Sequence, residues 1–433
     1  MNLMNMGEPA VEHGGWRKGF WCLMATQFQN AFSDNALKNL VILLALAAPL
    51  SSEERGTQVA LAGALFALPF ILFSMGGGSL ADRFSKQRVI ERVKVAEIGI
   101  MLFASLGLGL RSLPLQMAAI FLMGCHSAVF GPSKYGILPE ILPPERLSWG
   151  NGILELLTFL GIILGTLFGG LFAAWFREMP AVSGACLVVL AAMGWMSSRG
   201  IPRVPAGGAE RPMRWNPVSA LGRQLAAMRL DRDLWRANWG NAVFFFIAAL
   251  VQMNLVLFAH EVLRLGEREN AFLNAALALG IGLGSVCAGY LSKGGIAYGL
   301  VPVGSVVMAL GSLGMGLPGV ELAPFSGALM GMGFGAGLYI VPIAAVLQKR
   351  PAADCKGAVQ GAASLLSFIG IFCASGVQRL LRPVLEPGEF FWGCGGVAVA
   401  IGAYVAWSRR SELFGKREPG GVNEMGDRDQ ASR

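Results

Sequence analysis

Twelve apolar runs, most of them long enough to cross a bilayer, dominate this chain. A spanning helix needs about 20 mostly apolar residues. Read against charged and Pro/Gly-rich breaks, the runs fall at 18–49, 58–81, 88–110, 114–134, 150–176, 180–198, 237–260, 269–291, 295–316, 322–347, 357–381 and 388–408. The pattern predicts an all-α polytopic membrane protein and excludes an ordinary soluble domain. Composition agrees: 14% of the 433 residues are charged, against about 25% in soluble domains. The 59 glycines suit helices that pack closely in lipid.

The charge is basic, +8 at neutral pH. It is gathered in particular loops, so it reads as membrane topology and not as a nucleic-acid surface. The 82–94 loop holds Arg83, Lys86, Arg88, Arg92 and Lys94, and residues 199–236 hold eight arginines against Glu210, Asp231 and Asp233. The opposite turns carry Glu53, Glu54, Glu178, Glu261, Glu267, Glu269, Glu321, Glu386 and Glu389. Both termini and the middle loop are therefore expected in the cytoplasm. The first apolar run is too long and too polar for a cleaved signal peptide. It is expected to remain as the first span.

The middle loop divides the runs into two sets of six. The expected organisation is an N-terminal six-helix bundle over 1–198, a basic cytoplasmic middle loop over 199–236, a C-terminal six-helix bundle over 237–408 and a disordered cytoplasmic tail over 409–433. An internal repeat supports the division. A shift of 209 residues sets Asn151-Gly152…Glu155…Thr158…Gly161 on Gln360-Gly361…Ser364…Ser367…Gly370. It also sets Met123-Gly124 on Met332-Gly333. Parallel repeats of this kind mark transporters whose halves rock about a central site.

The first run is interrupted by Gln27-Phe-Gln29-Asn30-Ala-Phe-Ser33-Asp34-Asn35-Ala-Leu-Lys38-Asn39. A charge at mid-bilayer costs about 2.5–3.5 kcal/mol on insertion scales. Gln27, Asn30, Asp34 and Lys38 recur at helical spacing on one face, and Asp34 and Lys38 can offset each other at i, i+4. Such a face looks at a polar cavity or at a buried polar partner. Charge within the other spans is concentrated in the fourth and fifth, at Lys134 and Glu155. The second half is polar, with Asn238, Asn241, Gln252, Asn254, Asn270, Asn274, Tyr339 and Gln360, but nearly uncharged. Lys134 reads as an interfacial lysine or a phosphate contact, Glu155 as its ion-pair partner or a site acid, His126 as a packed histidine or a proton-linked switch.

Seven cysteines without a CxxC pair, and three histidines, give no disulfide framework and no protein-built metal site. There is no P-loop or nucleophile elbow. No catalytic residues, cofactor or metal are expected, and the chain is not expected to be an enzyme.

The loop after the second span reads Gly78-Ser-Leu80-Ala81-Asp82-Arg83-Phe-Ser85-Lys86-Gln87-Arg88. It resembles the GxLaDrxGrr signature of the major facilitator superfamily, with Ser85 and Gln87 departing from it. The repeat offers Gly289-Tyr-Leu291-Ser-Lys293, without the Asp-Arg pair. Gly78 allows close approach, and Asp82 can accept from the N–H groups of a helix N-terminus, so Gly78, Asp82 and Arg83 are candidate gating residues. The fourth span ends in Gly131-Pro-Ser-Lys134-Tyr135-Gly136-Ile-Leu, and the fifth opens with Asn151-Gly152 and carries Glu155. With Phe28…Asp34-Asn35 these resemble the lysophospholipid transporter (LplT) branch of the superfamily. The glycine run Gly161…Gly165…Gly169-Gly170 resembles an exporter signature but lacks its proline, and small residues at this spacing also serve packing.

The resemblance implies two pseudo-symmetric six-helix bundles working by alternating access. It implies movement of lysophospholipids across the bacterial inner membrane toward the cytoplasmic leaflet, for reacylation. Membrane lipids, and a cytoplasmic acyltransferase or acyl-ACP synthetase, are the implied partners. On that reading Asp34 and Glu155 face the amine or steer the gate, Lys134 meets the phosphate, and Asn30, Asn35 and Tyr339 hydrogen-bond the headgroup. The alternatives are a proton-coupled exporter of drugs or other amphiphiles, and a sensor or scaffold acting through the 199–236 segment.

Overall fold

The computed structural model describes residues 15–49, 51–208 and 216–408. They form helices α1 (Trp16–Ala47), α2 (Ser52–Arg83), α3 (Lys86–Gly109), α4 (Leu113–Ile141), α5 (Leu147–Trp175) and α6 (Pro180–Ser198). A short α7 (Pro217–Met228) follows. Then come α8 (Arg232–Glu261), α9 (Glu267–Leu291), α10 (Leu300–Met315), α11 (Leu322–Lys349), α12 (Lys356–Leu381) and α13 (Pro387–Ser408). Nine of the described helices are long and apolar enough to span on their own. The other three counterparts of the sequence runs are α1, α3 and α10. α1 and α3 are too polar to qualify, and α10 is only 16 residues long. Their polarity is spent inside the bundle, as shown below.

The two halves repeat one packing scheme. In the first, α1 packs on α5, α2 on α4, and α3 on α4 and α6. In the second, α8 packs on α12, α9 on α11, and α10 on α11 and α13. These are the same pairings shifted by seven helices, the spatial form of the repeat. The halves meet mainly along α5·α9 and α2·α12.

Glycine makes the close approaches. On α5, Gly161, Gly165 and Gly169 lie on the α1 backbone at Phe28, Phe32 and Ala36, where an added Cβ would collide with backbone atoms. The glycine run of α5 is thus a packing seam. The same device joins the halves. Gly78 of α2 abuts Gly357 of α12, and Gly289 of α9 abuts Ser148 and Trp149 of α5. Gly152 abuts Ser285, and Gly361 abuts Ser74.

The structure departs from the sequence reading in two places. The basic 82–94 stretch is mostly helix: α3 starts at Lys86, and Lys94 is buried two turns inside it. The 199–236 segment is not all loop. It contains α7, begun by Pro217 and capped by Asn216 Oδ1 on Ser219 N at 3.1 Å, and α8 begins at Arg232. The 409–433 tail lies outside the described residues.

At the start of α8, Asp231 accepts from Asp233 N and Leu234 N at 3.0 and 3.1 Å and takes Arg350 Nε at 2.8 Å. The Arg350 side chain and these N–H bonds hold its carboxyl below the ordinary value of 3.8.

Candidate functional site

Three features bear on function: a sealed end, a cavity and a buried polar centre.

The α2–α3, α4–α5, α9–α10 and α11–α12 turns share one end of the molecule. Here the halves are sealed. Asp82 accepts from Gly357 N at 2.6 Å and Ala358 N at 2.8 Å, so the last turn of α2 caps the N-terminus of α12. Lys86 of α3 pairs with Glu140 of α4 at 2.7 Å, and Lys356 of α12 reaches Glu140 at 4.0 Å. In the repeat position Ser148 Oγ donates to Gly295 O at 2.7 Å. Arg83 stands aside, over the ring of Phe84 at 5.9 Å. Of the three candidate gating residues, Gly78 and Asp82 sit in the seal and Arg83 does not.

Toward the opposite end the halves separate around a cavity of about 990 Å³. Its wall is apolar, built from Phe159, Ile162, Ile163, Phe244, Phe245, Val251, Leu277 and Ile281 among others. Lys38 is the one charged residue of the described lining. Asn39 and Thr166 stand beside it, and Gln252, Asn270 and Asn274 belong to the same lining, from the second half. Gln252 donates to Asn274, whose amide donates to Asn270 O at 2.9 Å. Lys38 and Asp34 attract each other without a direct contact, and the Lys38 ammonium lies over the Phe66 ring at 5.1 Å.

One turn deeper, the polar face of α1 meets α3 and α4 in a buried ionic centre. Lys94 Nζ contacts Glu97 Oε2 at 2.5 Å, Gln29 Oε1 at 2.7 Å and Asn30 Oδ1 at 3.1 Å. Glu97 also accepts from Gln29 Nε2 at 2.8 Å and lies 3.3 Å from His126 Nε2. Asp34 Oδ2 accepts from Ser127 Oγ at 2.7 Å and Asn30 Nδ2 at 3.1 Å. Its Oδ1 is buried and takes no hydrogen bond from the described residues. This centre explains why α1 and α3 tolerate charge: every ionised group has a partner at hydrogen-bond distance, which buried charge requires.

The structure therefore brings Asp34 and Asn30 together with His126, and adds Lys94 and Glu97. Glu97 lies outside the candidate residues of the sequence, and Lys94 belongs to its basic 82–94 stretch. An acid and a base three apart in the third apolar run were the available signal. Lys134 and Glu155 form a second buried group. Tyr135 stands between them: its hydroxyl donates to Glu155 Oε1 at 3.2 Å and its ring lies 4.4 Å from Lys134 Nζ. Asn35 donates to Ala31 O of its own helix at 2.8 Å. Tyr339 is apart from all of these. Its hydroxyl donates to Gly240 O at 3.1 Å, and it lines a separate crevice with Trp235, Arg236 and Tyr404. Among the described residues no group of His, Cys, Asp and Glu could hold a metal ion.

An apolar cavity between two repeated bundles, sealed at one end, is the architecture of an alternating-access carrier. The comparisons agree. The Major Facilitator Superfamily model matches residues 23–375. The chain is 30% identical over 410 residues to the lysophospholipid transporter LplT of Klebsiella pneumoniae, covering 91% of this chain and 97% of that one. Against LplT of Escherichia coli O7:K1 it is 30% identical over 416 residues, again covering 91% and 97%. Among solved structures, the human organic anion transporter MFSD10 superimposes with a TM-score of 0.77 at 14% identity, over 90% of this chain and 99% of that one. The Escherichia coli fucose:proton symporter FucP gives 0.73 at 12% identity, over 91% and 99%. The structural likeness speaks for the fold, and the extent of the sequence match speaks for the branch: the chain belongs to the lysophospholipid transporter (LplT) family of the major facilitator superfamily.

Proposed function

We propose that this protein moves lysophospholipids across the bacterial inner membrane by alternating access, with both termini and the 199–236 segment in the cytoplasm. The sealed end then faces the cytoplasm and the cavity faces outward. Transport runs toward the cytoplasmic leaflet, where an acyltransferase or acyl-ACP synthetase can restore the missing chain. The observation that carries the reading is the cavity of about 990 Å³ whose wall is apolar except for a patch of one ammonium and several carboxamides. A single-chain phospholipid has the matching form: one acyl chain for the wall and one phosphate head for the patch.

The roles follow from depth. Lys38 meets the phosphate in the outward state. Asp34, one turn deeper on the same helix, offers its free Oδ1 to the headgroup amine as the lipid descends, with Asn30 holding the other oxygen. Lys134, Tyr135 and Glu155 form the next polar station toward the cytoplasm. Asn35 and Tyr339 bond within the protein, to Ala31 O and Gly240 O, and carry no headgroup role on this reading.

The test is translocation of labelled lysophosphatidylethanolamine in proteoliposomes, with wild type beside Asp34→Asn and Lys38→Gln. Rapid movement in the wild type, lost or strongly slowed in both variants, is expected. No movement above empty liposomes, from folded protein, would overturn the lipid reading, and proton-driven outward efflux of an amphiphilic dye would replace it with an exporter.

A further inference from the structure

Below the cavity two amides join the halves. Asn151 Nδ2 donates to Gln348 Oε1 at 2.9 Å, and Gln348 Nε2 donates to Asn151 Oδ1 at 2.7 Å. Asn151 is 0% exposed and Gln348 1%. The second donor of Asn151 goes to Leu147 O at 3.0 Å, which fixes the side chain against its own helix. α5 belongs to the first half and α11 to the second. Cavity lining on α5 begins at Phe159, and on α11 it ends at Ala336. At 1.5 Å per residue the pair lies about 12 Å and 18 Å beyond these points toward the sealed end. It is enclosed there by the Gly152–Ser285 contact and by Ala345 of α11, which shares a core cluster with Leu147 and Leu154 of α5.

We propose that Asn151 and Gln348 form a reciprocal amide clasp that sets the balance between this closed state and the state open at the sealed end. The proposal rests on the alternating-access part of the reading above. Buried amides require partners, and among the described residues each of these two has the other as its hydrogen-bond partner across the halves. The bonds exist while the halves are together and must pass to water when they part. Unlike the Lys86–Glu140–Lys356 group, the clasp is uncharged, so salt does not screen it. It is also one-sided. Gln360, which the 209-residue repeat sets on Asn151, donates to Leu347 O at 3.0 Å, within its own half. One member of the repeated pair ties the halves together, and the other braces the end of α11 that carries Gln348.

The experiment places spin labels at Arg88→Cys and Ala352→Cys, exposed positions on the two halves at the sealed end, after the native cysteines are replaced. Distance distributions are measured in lipid nanodiscs. Asn151→Leu and Gln348→Leu should each raise the long-distance population several-fold, because each leaves one buried amide without its partner. The double Leu variant should move back toward wild type, because two apolar side chains need no partner. Single variants that fold and keep the wild-type distribution would overturn the clasp. No lipid substrate enters the readout. Normal opening without lysophospholipid movement would therefore count against the substrate alone.

Discussion

At the scale of single residues, the ionic centre is where the chain commits most. Lys94 and Glu97 are both fully buried and bonded to each other, to Gln29 and to Asn30. Removing one member leaves a charge without its partner, at a cost of about 3–5 kcal/mol. Lys94→Met is expected to lower the thermal unfolding temperature in detergent sharply, and Lys94→Met with Glu97→Leu to lower it less. Asp231 makes a smaller, pH-dependent contribution. Its folded-state value is depressed, so its ion-pair stability is present above the ordinary aspartate value of 3.8 and is lost as pH falls through the folded value. Asp231→Asn keeps an N-cap but loses the pair with Arg350. It should be less stable than wild type at pH 7, and the difference should shrink in unfolding scans taken below pH 4. Residue chemistry was legible where a polar group interrupts an apolar run, as in Asp34 and Asn30. It was not legible for Lys94, because the basic residues from Arg83 onward merge a turn with a helix start and hide the point where lipid depth begins.

At the scale of helices, small residues set the fit. Gly165 of α5 lies against the Phe32 backbone of α1, and a side chain there must push the helices apart. Gly165→Leu is expected to cost about 1–3 kcal/mol by overpacking. Gly170→Ala, at a position where a Cβ meets only the far ends of Leu43 and Asn39, should be nearly neutral in the same thermal scan. Helix existence was readable from run length nearly throughout. Helix orientation was not. In α11 the residues from Gly335 to Ile343 are all buried, so no face of the sequence marks which one looks at the centre. Tyr339, an expected headgroup contact, lies on such a helix, and its hydroxyl donates to Gly240 O of α8. α7 is hidden for the opposite reason: the arginines of 199–236 read as a solvated loop, although Asn216-Pro217 is a helix start.

At the scale of the whole molecule, the two halves repeat their packing but not their chemistry. The first half holds the ionic centre and the cap that Asp82 places on α12, whereas the repeat has Lys293 where Asp82 stands and closes with a serine hydroxyl on Gly295 O. Losing the Asp82 cap costs about 0.5–2 kcal/mol, which by the usual arithmetic is a several-fold shift in a two-state balance. Asp82→Ala should therefore open the sealed end and raise the alkylation rate of Cys355, the residue before α12, several-fold over wild type. An unchanged rate would mean that the glycine contacts hold the end by themselves.

The cavity also has a thermodynamic consequence. Its wall is mostly hydrocarbon and its polar patch carries a single ammonium. Burying an acyl chain against such a wall gives a negative heat-capacity change, while a phosphate on Lys38 gives attraction that added salt weakens. Calorimetry of a bound single-chain lipid should then report its tail through temperature and its head through ionic strength, and shortening the chain should flatten the first dependence while leaving the second in place.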